Sequence, residues 1–373
     1  MEYENIVDVV SEIEDCLREG RGIASIRESV RGFSEEFLSI AKARISNARG
    51  KKAPDDFIFN ESDLRFCTNS LVADYRASRL KCRTIIDVGC GIGIQAVAFA
   101  KKCNKVIAIE CDARKLGYAR MNAKVAGTDN IEFLEGDAVQ ILQKISSADM
   151  VFWDPERLPS EKERSLSSLK PSFADVESEA KRIGASLAVE LPPQIGAEGL
   201  GACELEYISV DSRLNRLTAY FGRLRNCGIS VVSLPSGSRI EYNAEEAVKR
   251  SVMEDTRKFL YDVDDAVIRA GLVFFLASSI GASVVRIGKK EYITSGVSKK
   301  SPFLKCYELL VSLPQDKAKD FLAKRGFGKV ILHGSIPDAA YAKMRKGIQE
   351  GINGEKTAHI FISDGNFIVA VKR

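Results

Sequence analysis

Ile6, Val10, Ile13 and Leu17 recur at helical spacing ahead of Gly20, and Phe37, Ile40, Ala41 and Ile45 repeat the interval after Ser34. The start of the chain therefore reads as helical. The mixed polar stretch Asn47 to Asp56, with Pro54 inside it, predicts a loop, and a further helix over Ser70 to Leu80 leads out of this region. From Arg83 short apolar runs alternate with amphipathic ones. Strands are expected at Thr84 to Val88, Lys105 to Ile109, Ile131 to Leu134, Met150 to Trp153 and Ser186 to Glu190, with helices near Ile94 to Lys102, Lys115 to Ala126, Ala138 to Ile145 and Phe173 to Ile183. That alternation predicts an α/β fold with a doubly wound parallel sheet. Two further strands, Glu204 to Val210 and Arg216 to Arg223, follow with no helix between them, so the sheet should end in an antiparallel hairpin.

Pro235, Ser236 and Gly237 interrupt the pattern. Beyond them, helices are expected at Ala244 to Leu260, Ala266 to Ser279, Gln315 to Lys324 and Asp338 to Glu350. Strands are expected at Val284 to Ile287, Lys305 to Leu310 and Lys329 to His333, with a closing hairpin of Thr357 to Ile362 and Phe367 to Val371. The expected division is residues 1–80 as a helical region, 81–235 as the α/β domain, and 236–373 as a smaller α+β domain.

Composition changes this picture little and charge changes it more. A chain of 373 residues, 45% hydrophobic and 28% charged, can bury more than one core, which excludes a disordered or fibrous protein. It holds no run of eighteen apolar residues and begins acidic, so the expectation is a soluble cytoplasmic protein without membrane span or export signal. Nine cysteines without a C-x-x-C pair, and two histidines, His333 and His359, argue against a disulfide framework and against a metal site. Ile280 to Arg373 carries 17 basic and 8 acidic residues, +9 net, against 38 and 43, −5 net, for everything before it. A polyanionic partner approached from the C-terminal end is one reading, and an ordinary solvated basic surface is the other.

The segment that carries chemistry is Ile85-Ile86-Asp87-Val88-Gly89-Cys90-Gly91-Ile92-Gly93, a strand running through a glycine-rich turn into a helix. Such a turn lets a ligand lie against bare backbone. Asp87 suits a positively charged amino group and repels a pyrophosphate, which points to a zwitterionic ligand, S-adenosylmethionine. Glu110, closing the second strand, can accept the hydroxyls of a ribose, and Asp137, in Glu135-Gly136-Asp137-Ala138 after the third, can accept from an adenine amine. Gly91, Gly93 and Ala96 also satisfy G-x-G-x-x-A, which keeps a nicotinamide enzyme as an alternative. Cys90 reads as packing, and Trp153, the only tryptophan, as core.

With these residues the chain resembles the class I S-adenosylmethionine-dependent methyltransferases over about residues 68–235. It also resembles their branch with a C-terminal THUMP-like domain, through Thr68, Val72 to Ala77, Trp153 to Arg157, Glu206 to Val210 and Asp265 to Gly271. The resemblance implies a Rossmann-like seven-stranded sheet and a cofactor pocket built from Thr68, Asp87, Gly89, Gly91, Gly93, Glu110, Asp137, Ala138 and Asp154. Amino-group methyltransferases carry an acid or amide, two prolines and an aromatic residue after the fourth strand. This chain has Asp154-Pro155-Glu156-Arg157, so the second proline and the aromatic residue are missing. Asp154 is the candidate to orient or deprotonate the acceptor, with Glu156 and Arg157 as candidate substrate contacts; a plain structural turn is the alternative.

The leading expectation is methylation of RNA, such as tRNA, docked by the basic C-terminal domain. Lys289, Lys290, Lys299, Lys300, Arg325, Lys329, Lys343, Arg345 and Lys346 are candidates for phosphates, and Tyr292 or Phe327 for base stacking. A methyltransferase for a protein or small metabolite, and a non-catalytic RNA-binding protein that retains the cofactor pocket, are the alternatives.

Overall fold

The structure, a computed structural model, describes residues 3–155, 166, 169–195, 199–243, 250–334, 336–363 and 365–373. It is an α/β protein that divides into two compact units, Met1–Glu206 with Arg216–Asn226, and Tyr207–Asn215 with Cys227–Arg373.

The first unit opens with helices α1 (Tyr3–Arg18), α2 (Ile23–Ser29), α3 (Glu35–Gly50), α4 (Glu61–Phe66) and α5 (Ser70–Arg79). The apolar stripe of α1 is inside, with Ile6, Val10 and Ile13 buried against a core that includes Phe37, Ile40 and Ala41 of α3. Ser34 starts α3 by accepting from Phe37 N at 3.1 Å, a cap that contributes about 1 kcal/mol. The helix runs to Gly50, into the stretch expected as loop, because Asn47 clamps its end: its amide donates to Ala53 O at 2.9 Å and its oxygen accepts from Lys52 N and Ala53 N.

The α/β part follows as β1 (Thr84–Val88), α6 (Ile94–Ala100), β2 (Lys105–Glu110), α7 (Ala113–Val125), β3 (Ile131–Glu135), α8 (Ala138–Leu142), β4 (Met150–Trp153), α9 (Phe173–Arg182) and β5 (Ser186–Leu191). The hairpin strands are β6 (Cys203–Val210) and β7 (Arg213–Phe221). Strands β3-β2-β1-β4-β5 are parallel and β7 joins β5 antiparallel. Trp153 is fully buried in this sheet.

The sheet does not stop at seven strands. Its order is β3-β2-β1-β4-β5-β7-β6-β8-β9, with β8 (Ile229–Leu234) and β9 (Ser238–Tyr242) in addition. Ser236 and Gly237, taken from the sequence as a break, close a tight hairpin instead, Gly237 N donating to Ser233 O at 2.9 Å.

In the second unit β10 (Val252–Met253), β11 (Phe259–Val263), α10 (Asp265–Arg269), α11 (Val273–Ser279), β12 (Ser283–Ile287), β13 (Lys290–Ser295), β14 (Leu304–Pro314), α12 (Gln315–Lys324), β15 (Phe327–His333), α13 (Asp338–Gln349), β16 (Lys356–Ser363) and β17 (Asn366–Lys372) follow in turn. The eight strands form one mostly antiparallel sheet, β10-β12-β13-β11-β14-β17-β16-β15.

Three expectations are corrected here. The helix over Ala244 to Leu260 is not formed in its described part, since Val252–Met253 and Phe259–Leu260 are strand; residues 244–249 lie outside the described residues. Long-range pairing of Leu260 with Thr294 and Tyr307 outweighs the local helical spacing. The helix over Ala266 to Ser279 is two helices, the first closed by Leu272 N donating to Val267 O at 3.0 Å. Tyr292 and Phe327 are buried, 1% and 3% exposed, so neither is available to a base. Tyr292 sits on β13, a strand the polar residues Lys289 to Glu291 concealed, and meets Phe361 edge-on at 5.3 Å. No helix among the described residues is long and apolar enough to cross a membrane.

Candidate active site

The site lies at the carboxyl ends of β1, β2, β4 and β5, the edge where ligands gather in open α/β sheets. Between β1 and α6 the chain turns so tightly that Gly89 N and Cys90 N both donate to Ile109 O, at 2.9 and 3.0 Å. Across from the turn, Asp154 N donates to Val88 O at 3.0 Å. Gly89 has φ +80°, and a Cβ there would lie 2.6 Å from Asp154 O. Only glycine fits both constraints. Gly89→Ala is expected to cost about 2–3 kcal/mol, read as a lower urea midpoint. At Gly93 a Cβ would stand 3.0 Å from Ala119 Cβ, so the bare position lets α6 approach α7. Asn122 of α7, fully buried, holds the turn by donating to Ile92 O at 2.9 Å.

Asp87 is 1% exposed, and among the described residues neither of its carboxylate oxygens has a hydrogen-bond partner. Burial first, and then the charge of Asp154, hold its carboxyl well above the usual carboxylate range; Arg76 offsets only part of this. A buried acid left without donors is costly in either protonation state.

Glu110 is arranged differently. Its Oε2 accepts from Gly91 N at 2.8 Å, and its Oε1 from Cys111 N and Asp112 N at 2.9 and 3.0 Å. It braces the turn, with a lone pair on Oε2 still open to a further donor. Asp137 is exposed and caps α8 by accepting from Gln140 N at 2.9 Å, which places Ala138 as the first residue of that helix. Gly136 N donates to Glu110 O, joining these two loops. Thr68, 5% exposed, lies in the short connection between α4 and α5. Asp154 is half-buried directly after β4. Glu156 and Arg157 lie outside the described residues. Cys90 is buried, and burial followed by the charges of Asp87 and Glu110 pushes its thiol well above its ordinary value, so it is packing and not a nucleophile.

The feature that sequence reasoning missed is a buried ionic chain beneath these acids. Arg76 of α5 is 0% exposed and donates to Gln95 Oε1 at 2.8 Å, Glu190 Oε2 at 2.6 Å and Thr218 Oγ1 at 3.2 Å. Its guanidinium also lies 4.5 Å from the centre of the Phe152 ring. Arg216 Nε pairs with Glu190 Oε1 at 2.5 Å. The available signal was Glu190 itself, a charge inside the fully buried strand β5, which requires a buried counter-charge.

Comparison with known proteins adds the following. Residues 82–157, from before β1 to just past Asp154, match the family described as RNA cap guanine-N2 methyltransferase. An uncharacterised S-adenosylmethionine-dependent methyltransferase of Mycobacterium tuberculosis is 25% identical over 248 residues, which is 63% of this chain and 66% of the relative, so the chain spans just under two thirds of that relative's length. An uncharacterised RNA methyltransferase of Clostridium tetani is 34% identical over 89 residues, 24% of this chain and 19% of its own length. The tRNA (uracil(54)-C(5))-methyltransferase of Saccharomyces cerevisiae is 29% identical over 96 residues, 25% of this chain and 15% of its own length. A crystal structure from Porphyromonas gingivalis W83, of a protein provisionally named a methyltransferase, superimposes with a TM-score of 0.76 at 14% identity, covering 100% of this chain and 99% of that one. The chain thus shares its fold from end to end with the Porphyromonas protein and is similar in sequence to S-adenosylmethionine-dependent methyltransferases.

Proposed function

We propose that this chain is an S-adenosylmethionine-dependent methyltransferase that acts on RNA, a structured RNA such as tRNA, held by a THUMP-like C-terminal domain within residues 236–373, and that it works in the cytoplasm. The observation that carries the methyltransferase reading is Asp87: a carboxyl group 1% exposed, without a hydrogen-bond partner among the described residues, beside a turn of bare backbone. S-adenosylmethionine brings a sulfonium and an ammonium, whereas a nicotinamide dinucleotide brings two phosphates that this cluster of acids repels. In this reading Asp87 takes the ammonium, Glu110 and Asp137 accept from the ribose and the adenine, and Thr68, Gly89, Gly91, Gly93 and Ala138 complete the pocket. When bound, the cofactor supplies an electrophilic methyl group that an acceptor atom attacks in line. The protein aligns that acceptor, and alignment can contribute about 7–11 kcal/mol. Asp154 is the group at hand to orient the acceptor or take its proton, and Glu156 and Arg157 follow it in the chain.

The RNA part rests on charge and kinship. Lys343, Arg345 and Lys346 are exposed on α13, and Arg325, Lys329, Lys289 and Lys300 are exposed elsewhere in the second unit. The Clostridium and yeast relatives are RNA methyltransferases by name. Protein incubated with labelled S-adenosylmethionine and total RNA from a strain lacking it is expected to label a discrete RNA species, and Asp154→Ala to abolish most of the label. Reversing Lys343, Arg345 and Lys346 to Glu should weaken RNA binding by about 10- to 100-fold and flatten its salt dependence. Label appearing in protein or metabolite fractions instead, with the reversal silent, would move the assignment to a different acceptor.

A further inference from the structure

Among the described residues, none of the aromatic side chains considered so far offers an exposed ring to a base. Asp154-Pro155 is followed by Glu156 and Arg157 where amino-group methyltransferases carry an aromatic residue, Tyr292 and Phe327 are buried, and Trp153 is core. Phe66, at the end of α4, has the opposite character. It is 62% exposed and is the one aromatic residue among the large hydrophobic side chains that stand exposed in the described residues. A single exposed apolar side chain needs no explanation by itself. Its placement gives it one.

Phe66 is held by its backbone while its side chain stands exposed. Arg216 Nη2 donates to Phe66 O at 3.3 Å and to Cys67 O at 3.0 Å. Lys52 Nζ donates to Leu64 O and Arg65 O at 2.7 and 2.8 Å. Two cations therefore take four successive carbonyls at the C-terminal end of a short helix, where such carbonyls lack intrahelical partners. The other end of α4 is fixed by Asp63, gripped in a fork by Arg114 at 2.8 and 3.1 Å. The same Arg216 pairs with Glu190, and β4 and β5 lie in register with Trp153 opposite Val189, so Glu190 and Asp154 are neighbours at the ends of their strands. Phe66 is thus linked through Arg216 and Glu190 to the strand ends beside Asp154, hydrogen-bonded in backbone and exposed in side chain. The Arg65 guanidinium lies 5.3 Å from the centre of its ring.

We propose that Phe66 is the surface on which the acceptor nucleobase stacks, with Arg65 beside it to meet the flanking phosphate. The inference rests on the RNA reading above and supplies the platform that the Asp154 segment lacks. Stacking tolerates any base because each has a π face, so Phe66 sets affinity and pose while the acceptor atom is chosen deeper in the site.

The test is the initial rate of methyl transfer from labelled S-adenosylmethionine to total small RNA of a strain lacking the protein, measured against RNA concentration. Phe66→Ala should lower kcat/KM for RNA about 10- to 100-fold, and Phe66→Trp should stay within about threefold of the parent, because an indole restores the π face. The dissociation constant for S-adenosylmethionine and the melting temperature should be unchanged in both. Equal rates for Phe66→Ala and the parent, or equal losses in the alanine and tryptophan variants, would overturn the assignment of Phe66 alone. No transfer to RNA by the parent, with cofactor binding intact, would overturn the RNA reading and Phe66 with it.

Discussion

Replacing Asp87 with alanine is expected to weaken S-adenosylmethionine binding by about 100-fold or more, equivalent to roughly 2.7 kcal/mol, while the cofactor-free protein becomes more stable. Both effects have one cause. The carboxyl is buried without a hydrogen-bond donor among the described residues and Arg76 offsets only part of the cost of ionising it, so a bound cation offsets the rest. The sign of the pH effect follows from linkage. Burial, then the charge of Asp154, raise the folded-state pKa above the unfolded one. The folded state therefore binds the proton more tightly, and stability falls as pH rises from the ordinary carboxylate range toward that raised value. Asp87→Asn lacks this loss, so its melting-temperature advantage over the parent should widen across that interval and then level off. Binding of a cation ionises Asp87, and calorimetry in buffers of different ionisation enthalpy should detect proton release below the raised pKa that disappears in Asp87→Asn. Undiminished affinity in Asp87→Ala would remove the ground for the cofactor assignment.

The largest effect on stability is expected at Arg76. Its guanidinium is wholly buried, and burial alone would favour losing its proton; Glu190 and, after it, Tyr220 and Asp154 outweigh that and raise its pKa. Arg76→Met removes one of two cations from Glu190, strands Gln95 Oε1 without its donor and deprives Asp87 and Asp154 of a nearby positive charge. Breaking a buried pair from one side costs about 3–5 kcal/mol, measurable as a shift in urea midpoint. Arg76→Lys should recover only part, because an ammonium cannot serve three acceptors from one planar fork. Saturating S-adenosylmethionine should restore less stability to Arg76→Met than to the parent, since Asp87 then ionises at a higher energetic cost.

Much of the site was legible because strand ends concentrate chemistry. Asp87 and Glu110 stand out as acids that close apolar runs, and the structure places both at the turn. Their different situations were not legible: Glu110 is occupied by three backbone amides and Asp87 by none, a distinction made by the fold of the turn and not by spacing. Arg76 and Glu190 are separated by 114 positions, so neither announces the other along the chain. The hairpin of β8 and β9 was hidden because Pro235-Ser236-Gly237 is equally good as linker and as turn, and only the neighbouring strand decides which. β13 was hidden because its charged start, Lys290 and Glu291, is half-buried in ion pairs with Asp262 and Arg286 while its later residues are core.

The turn after β1 has a consequence for what it refuses. The amides of Gly89 and Cys90 are given to Ile109, that of Gly91 to Glu110 and that of Gly93 to Cys90. In a phosphate-gripping loop those same N–H groups would converge outward on the anion. Here those four point back into the protein, so a nucleoside triphosphate or dinucleotide meets a turn whose Gly89, Cys90, Gly91 and Gly93 amides are already taken, beside the acids Asp87 and Glu110. Such a bend offers an entering phosphate fewer amide donors than a phosphate-gripping loop does.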